Sequence, residues 1–284
     1  MISRAMTFRS ISRLTALAAT ALLTATAAHA AEPVRIVFTG GRMLPIEAVE
    51  LKNGQFTVLT PQEGFTQGQT FAANLADHIF GDKPDGLNRG IALLLLDDPV
   101  KALGALEPVL ASQKVTAGVQ GNFWVEAARA TVIAYAWMGN SAKAEALGKE
   151  LSDATKASPD PAVTLGKALL QPVSTKIDTK LTAYNDLVND TVPTDIAAYA
   201  AFYRAAVLKR GHRDAEALES YLSVPCLYPT GSSLVSGAAE LAAADALLVQ
   251  ARREEATALL NSASRDARGT PIADEAQKRL EGLK

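Results

Sequence analysis

The sequence of 284 residues is long enough for one or two domains of ~150 residues each. Hydrophobic residues make up 48% of it, which excludes a wholly disordered chain. The formal charge of −2 offers no basic surface for nucleic acid, and a single Cys can form neither an internal disulfide nor a cysteine metal site. Aromatic residues are scarce at 6%, and the abundance of Ala and Leu favours closely packed helices.

The first 30 residues have the features of a secretory signal peptide. Three Arg and no acidic residue flank the start of an apolar stretch over residues 14–28, and Ala28-His29-Ala30 is a small-x-small cleavage site. The stretch is shorter than the ~20 apolar residues that span a bilayer, so we expect cleavage rather than an uncleaved anchor. Cleavage leaves 254 of the 284 residues, and the loss of three Arg lowers the formal charge from −2 to −5. The sequence therefore predicts an exported bacterial protein, periplasmic or secreted.

Residues 31–82 are predicted to form a small β module. Alternating apolar residues over 34–38 indicate a strand, and Gly40-Gly41 supplies a turn. Asn53-Gly54 lies between two apolar alternations, which is the strongest short-range signal for a hairpin. Two weaker strand candidates follow, around Phe71 and around Ile79. The pattern predicts three to five strands in a small antiparallel sheet or an SH3-like module.

From residue 83 onward the apolar period is helical and short breakers separate the helices. Small residues recur where the second helix of each pair would cross the first, at steps of 42, 36, 37 and 39 residues. These positions are Ala102, Ala144, Lys180 in place of a small residue, Ala217 and Ala256. Twelve residues before them lie Gly90, Val132, Ala168, Ala205 and Ala244. Small side chains at a crossing let two helices approach closely.

Residues 86–283 resemble the tetratricopeptide repeat (TPR) family. The clearest unit runs from Tyr199 to Pro229 and contains Ala205, Ala217 and Tyr221 at the small and aromatic positions of that family. The repeat steps exceed the 34 residues usual in the family. The resemblance implies a mainly α protein, with a TPR-like α-solenoid of about five helical hairpins over residues 83–284. Residues 271–283 then suit a C-terminal capping helix.

The resemblance also implies a concave groove that binds a peptide segment. In TPR proteins the first helices of successive units line this groove. Carried over to this sequence, the candidate groove residues are Tyr199, Phe202, Lys209, Arg210, Arg129 and Trp137. Aromatic side chains beside Arg or Lys suit an extended or acidic peptide. The alternative is that Phe202 and Trp137 only fill the packing between units, as is expected of Trp124 and Tyr135.

No motif for catalysis, for a metal or for a cofactor stands out in the sequence. His78 and His212 lie 134 residues apart, and Gly166-Lys167 lacks the remainder of a phosphate loop. Gly231-Ser232-Ser233 does not match the nucleophile elbow of hydrolases. Cys226 lies in an apolar run, so we expect it to be buried, with an intermolecular disulfide or a nucleophile as the alternatives. The sequence predicts a protein that is not an enzyme and has no cofactor.

Together these features predict a scaffold or adaptor of the cell envelope that mediates protein–protein interaction. Its partner would be a protein or peptide, and not nucleic acid, with no integral membrane segment left after signal cleavage. One alternative is a binding module that acts through the N-terminal β-sheet. A less favoured alternative is a hydrolase with a site where the sheet meets the helices.

Overall fold

Strands occupy the region before residue 81, and helices occupy most of the region after it. The computed structural model describes residues 31–172, 174–189, 191–229 and 231–283, so the predicted signal peptide lies outside the described residues. The strands are β1 (Arg35–Phe38), β2 (Met43–Pro45), β3 (Val49–Lys52), β4 (Gln55–Val58), β5 (Thr70–Ala72) and β6 (Ala76–Phe80). The helices are α1 (Asp85–Leu95), α2 (Pro99–Gln113), α3 (Phe123–Trp137), α4 (Ser141–Thr155), α5 (Pro161–Leu169), α6 (Ile177–Asn185), α7 (Thr194–Arg210), α8 (Asp214–Leu227), α9 (Ser233–Val249), α10 (Arg253–Asp266) and α11 (Pro271–Gly282). The prediction of a mainly helical protein with a small antiparallel β region is confirmed.

The strands form two antiparallel three-stranded sheets, in the orders β2-β1-β6 and β3-β4-β5. The predicted hairpin at Asn53-Gly54 joins β3 to β4, and Lys52 pairs with Gln55 across it. Asn53 and Gly54 have φ values of 49° and 74°, the left-handed conformation that a two-residue hairpin loop requires. The division into two sheets differs from one of the two predicted arrangements, a single antiparallel sheet, because β1 pairs with β6 rather than with β3; the other predicted arrangement, an SH3-like module, stays a prediction.

The β region shares its hydrophobic core with the helices. Phe38 packs edge-to-face on Phe56, with ring centroids 5.8 Å apart. Val119, from the segment between α2 and α3, is buried in the same core, and Phe123 at the start of α3 packs against it. The described residues from Glu32 onward accordingly form one compact unit.

The helices pack as successive pairs, with small residues at the crossings. Helix α1 packs on α2, α3 on α4, α5 on α6, α7 on α8, and α9 on α10. Ala102 and Ala256 are completely buried, as are Ala205 and Ala244 of the preceding helices. A Cβ atom at Gly90 would lie 2.5 Å from Leu106, so only glycine fits between α1 and α2 at this point. The small residues therefore do lie where pairs of helices meet.

The first helices of these pairs also contact one another in a closed ring. Helix α1 packs on α3, α3 on α5, α5 on α7, α7 on α9, and α9 again on α1. Helix α11 contacts α10, α9 and α1. An open superhelix would keep its first and last units apart, whereas here the last pair of helices returns to the first. The predicted α-solenoid with a concave groove is therefore not confirmed.

The burial patterns of the helices explain this ring. Ten of the fifteen residues of α3 are buried, and the buried positions surround the helix. Only four of the fifteen residues of α4 are buried, and they form a single stripe. A helix that is apolar on all sides needs neighbours on all sides, whereas a striped helix covers the outside. None of the helices in the described part of the chain combines the length and hydropathy that a bilayer crossing requires.

Cys226 is exposed, so the prediction that it is buried is wrong. It lies in the last turn of α8, whose buried residues include Ala217, Tyr221 and Val224. At the helical period Cys226 is about 180° away from Ala217 around the helix axis. Its thiol therefore faces away from the core, although its neighbours in sequence are apolar.

Glu240 is a buried carboxylic acid between α9 and α10. The residue is only 7% exposed, and Ser262 Oγ donates a hydrogen bond of 2.9 Å to its Oε1. Its Oε2 has no hydrogen-bond partner. Burial raises the pKa of Glu240, an effect that the hydrogen bond from Ser262 opposes and the charge of Asp266 reinforces.

We expect Glu240→Gln to stabilise the protein at neutral pH. Because the folded-state pKa is raised above its ordinary value of 4.5, the ionised carboxylate costs stability at neutral pH, and this cost disappears as the pH falls below 4.5. The variant should gain on the order of 1 kcal/mol in the free energy of unfolding at about pH 7, and nothing at about pH 4. Urea unfolding at both values measures this, with the exposed Glu254→Gln as control. A loss of stability at neutral pH would contradict it.

Candidate functional site

The ends of the inner helices form two separate cavities. Residues from the C-terminal ends of α1, α3 and α7 and from the second half of α9 line a cavity of about 480 Å³. Residues from the N-terminal ends of the same four helices line a second cavity, of about 420 Å³. These linings show that the four helices run in the same direction, with one cavity near each end of the ring.

The six candidate groove residues divide between these two cavities. Trp137, Phe202, Lys209 and Arg210 line the larger one, which we call the aromatic cavity. Arg129 and Tyr199 line the smaller one, which we call the polar cavity. Phe202 and Tyr199 are 6% and 5% exposed, so each is largely buried and reaches its cavity with only part of the ring. The structure thus brings four of the six residues together.

Aromatic rings form one wall of the aromatic cavity. The rings of Trp137 and Tyr203 have centroids 5.3 Å apart, and Phe202 contacts both Tyr203 at 5.4 Å and Tyr221 at 5.6 Å. Leu94 and Leu241 are among the apolar residues of the remaining lining. A cavity of this size with apolar walls is typical of sites that bind a small ligand or the side chains of a peptide.

Arg210 places an unpaired positive charge beside this aromatic wall. Its guanidinium carbon lies 4.4 Å from the centre of the Trp137 ring, a cation–π contact. The indole N–H of Trp137 donates a hydrogen bond of 2.6 Å to Asp97 Oδ1, which holds the ring in place. Among the described residues, the side chains of Arg210 and Lys209 form no hydrogen bond or ion pair.

A third cation at the aromatic cavity is already bound within the protein. Arg279 of α11 donates hydrogen bonds of 2.7 and 3.0 Å to the two carboxylate oxygens of Asp245. Arg279 also contacts Glu275. Its charge is therefore neutralised within the protein, and Arg210 and Lys209 remain to attract an anionic group.

The Tyr203 hydroxyl is a buried polar group without a partner. The residue is 3% exposed, and its oxygen accepts and donates no hydrogen bond within the described chain. Burial raises the pKa of Tyr203 far above its ordinary value, with smaller effects from Tyr184 and Asp97, and Arg210 acts in the opposite direction. The hydroxyl is therefore neutral at physiological pH and able to donate. An unsatisfied buried group of this kind costs about 1–3 kcal/mol of stability.

Sequence reasoning missed Tyr203, Asp97 and Arg279. Tyr203 follows Tyr199 by four residues on α7, so helical spacing places both on one face and a search for aromatic pairs at that spacing finds it. Asp97 follows α1 and contacts Trp137, 40 residues away, and Arg279 lies on α11 and contacts Asp245, 34 residues away. No local sequence signal identifies those two.

In the polar cavity, Arg129 is held by two acidic residues. It donates hydrogen bonds of 3.1 Å to Asp160 and 3.0 Å to Asp195. Burial disfavours the charge of Arg129, but the hydrogen bonds and charges of the two carboxylates outweigh that effect and raise its pKa. This arrangement fixes the side chain firmly, so Arg129 is a rigid part of the cavity wall.

His78 and Cys226, the other reactive side chains that the sequence offers, line neither of these two cavities. Among the described residues, no group of three or more His, Cys, Asp or Glu side chains could hold a metal ion. His78 lies at the junction of the β region and the helices, where its backbone bridges to Gln120. Its imidazole is exposed, and the partner found for it in the described part of the chain is Asp77, at 2.9 Å.

Comparisons with known proteins add no assignment. No family model, curated protein or solved structure matches this chain. The proposed function is therefore based on the geometry of the two cavities.

Proposed function

We propose that this protein is exported, loses residues 1–30 and acts in the cell envelope as a TPR-like scaffold or adaptor without enzymatic activity. It would bind a peptide segment of a partner protein at the aromatic cavity. The observation that supports this function most is the unpaired Arg210 guanidinium stacked on Trp137 at the mouth of a cavity with apolar walls. A cation that is held in place but lacks an anionic partner is suited to recognition from outside.

The chemistry of the cavity favours a segment with a bulky apolar side chain next to a carboxylate. The side chain would contact Trp137, Phe202 and the apolar lining, where burial contributes about 25 cal/mol per Å². The carboxylate would accept charge-assisted hydrogen bonds from Arg210. An acidic segment or the carboxyl terminus of a partner has this combination. The volume of about 480 Å³ accommodates a few side chains rather than a folded surface.

A peptide-binding assay tests this proposal. The protein is isolated from the envelope fraction of cells that express the whole sequence, and its mass reports whether residues 1–30 have been removed. A library of synthetic peptides with free carboxyl termini is screened, and the affinity of the best binder is measured by fluorescence anisotropy. We expect Arg210→Gln to weaken binding about tenfold or more, because a charge-assisted hydrogen bond contributes about 1.5–3 kcal/mol.

Arg253→Gln and Tyr184→Phe are matched controls for this assay. Arg253 is an exposed arginine without an ion pair among the described residues, and Tyr184 is a buried tyrosine outside both cavities. Neither substitution should change the affinity. A peptide that binds Arg210→Gln as tightly as the unaltered protein would show that the aromatic cavity is not the binding site.

The same assay distinguishes a binding site at the aromatic cavity from one on the β region. Residues 33–82 do not make a useful fragment, because Val119 completes their core from outside that range. Phe80 of β6 is 44% exposed and offers an apolar contact on the β surface instead. Loss of binding in Phe80→Ser, with binding retained in Arg210→Gln, would support the β region as the binding part.

A further inference from the structure

The polar cavity has the features of a second binding site, distinct from the proposed peptide site at the other end of the ring. Its volume is about 420 Å³, and its lining is supplied by the N-terminal ends of α1, α3, α7 and α9. The N-terminal end of a helix carries a partial positive charge and unpaired N–H groups. Several such ends around one cavity favour an anion, but they do not by themselves make a site.

The start of α9 presents hydrogen-bond donors that no side chain caps. Ser232 is the N-cap residue, yet its hydroxyl makes no hydrogen bond to the first turn. Within the described residues, the hydroxyls of Ser232 and Ser233 form no hydrogen bond. Both residues line the cavity together with Gly231. The first amides of α9 and these two hydroxyls are therefore free to donate to an oxygen atom of a ligand.

Tyr199 supplies an independent indication of a ligand. The residue is 95% buried and lines the polar cavity, and its hydroxyl has no hydrogen-bond partner in the described part of the chain. Burial raises the pKa of Tyr199 well above its ordinary value, and the charges of Glu126 and Asp195 raise it further. Both carboxylates line the same cavity as Tyr199. Tyr199 is thus a largely buried side chain at the cavity wall whose hydroxyl has no hydrogen-bond partner among the described residues, and a ligand would supply one.

The two cations of the cavity differ in how firmly they are held. Arg129 is fixed by Asp160 and Asp195 and keeps its charge at the wall. Lys83 lies 2.8 Å from Glu126, but both side chains are partly exposed, at 46% and 33%. Exposed pairs of this kind contribute less than about 1 kcal/mol, so Lys83 can turn to a ligand at little cost.

From these groups we infer that the polar cavity binds a small molecule through an oxyanion, either a carboxylate or a phosphate. Free donors are provided by Tyr199, Ser232, Ser233 and the first turn of α9, and Lys83 supplies an exchangeable positive charge. The two carboxylates that line the cavity are each paired with a cation, so a ligand with acceptor oxygens fits better than a cation. This inference does not depend on the peptide site, because no lining residue is shared by the two cavities.

Isothermal titration calorimetry of the full protein with simple anions tests the inference. Inorganic phosphate and acetate are titrated separately, with sodium chloride at the same ionic strength as the blank. We expect saturable binding of at least one anion. Tyr199→Phe should weaken it about tenfold, because the variant loses one hydrogen bond to a charged group while the ring is retained. Ser233→Ala should weaken it severalfold for the same reason.

Tyr184→Phe is the matched control, since it removes the hydroxyl of a buried tyrosine that lines neither cavity, and it should bind like the unaltered protein. Binding of phosphate alone would identify phosphorylated ligands, and binding of acetate alone would identify carboxylic acids. Absence of saturable binding for both anions overturns the inference. It is also overturned if Tyr199→Phe, with an unchanged melting temperature, binds the anion as tightly as the unaltered protein does.

Discussion

Replacing Tyr199 and Phe202 together by alanine should unfold the protein rather than remove a binding surface. Both side chains are more than nine-tenths buried, and Phe202 packs between the rings of Tyr203 and Tyr221. Removing a large buried aromatic side chain costs about 3–5 kcal/mol, and two such losses approach the total stability of about 5–15 kcal/mol that proteins of this size have. Because the two residues lie close together on α7, the reduction in the free energy of unfolding for the double variant can differ from the sum of the two single reductions.

Urea unfolding followed by circular dichroism measures this effect. The control is Val100→Ala with Val249→Ala, two apolar residues that are 65% and 89% exposed, which should change stability by less than about 0.5 kcal/mol each. If the aromatic double variant unfolds within about 1 kcal/mol of the unaltered protein, the rings are not part of the core. Loss of a partner in this variant would therefore not locate a binding site, whereas Arg210→Gln changes only an exposed charge.

The helical architecture could be predicted from the sequence because it depends on local patterns. The spacing of Ala102, Ala144, Ala217 and Ala256 reflects crossings between helices that are adjacent in sequence, and those residues are buried. The hairpin at Asn53-Gly54 is equally local, since two residues determine the turn. Each of these features is decided within about 40 residues of chain.

The closed ring could not be predicted in the same way. Whether α9 returns to α1 depends on small rotations between successive helix pairs, and these accumulate along the chain without a sequence signature of their own. One clue was present, because α3, α7 and α9 are apolar around most of their circumference. Such helices are typical of a buried inner layer and not of the lining of an open groove.

The candidate site illustrates the same limit. Four of the candidate residues that the family resemblance implies, Trp137, Phe202, Lys209 and Arg210, lie on α3 and α7 and line one cavity. Arg129 lies eight residues before Trp137 on α3, and Tyr199 lies three residues before Phe202 and ten before Lys209 on α7; both line the other cavity. The helical period fixes the face on which a side chain lies, but not the cavity that it reaches.

Arg129→Ala is expected to destabilise the protein by about 3–5 kcal/mol. Asp160 is fully buried, and the substitution removes the only cation found within 4 Å of its carboxylate in the described residues. Asp160 also accepts a hydrogen bond of 2.9 Å from the amide of Ala162 and so caps the start of α5. An uncompensated buried charge at this position therefore affects both the wall of the polar cavity and the first turn of α5.

A double-mutant cycle with Asp160→Asn separates the charge from the cap. Asparagine caps a helix as well as aspartate does, so Arg129→Ala should lower the free energy of unfolding much less in the Asp160→Asn background than alone.

Arg279→Ala is the matched control, because Arg279 also bridges two acids but is 29% exposed, and its loss should lower the free energy of unfolding by about 1 kcal/mol or less. If urea unfolding shows that Arg129→Ala and Arg279→Ala lower the free energy of unfolding equally, the burial of Asp160 is not the reason that Arg129 stabilises the protein. If instead Arg129→Ala lowers the free energy of unfolding more than Arg279→Ala does, and Asp160→Asn reduces that loss, then Arg129 stabilises the protein by neutralising a buried carboxylate. The guanidinium of Arg129 is partly exposed, so it also places a fixed positive charge at the wall of the polar cavity.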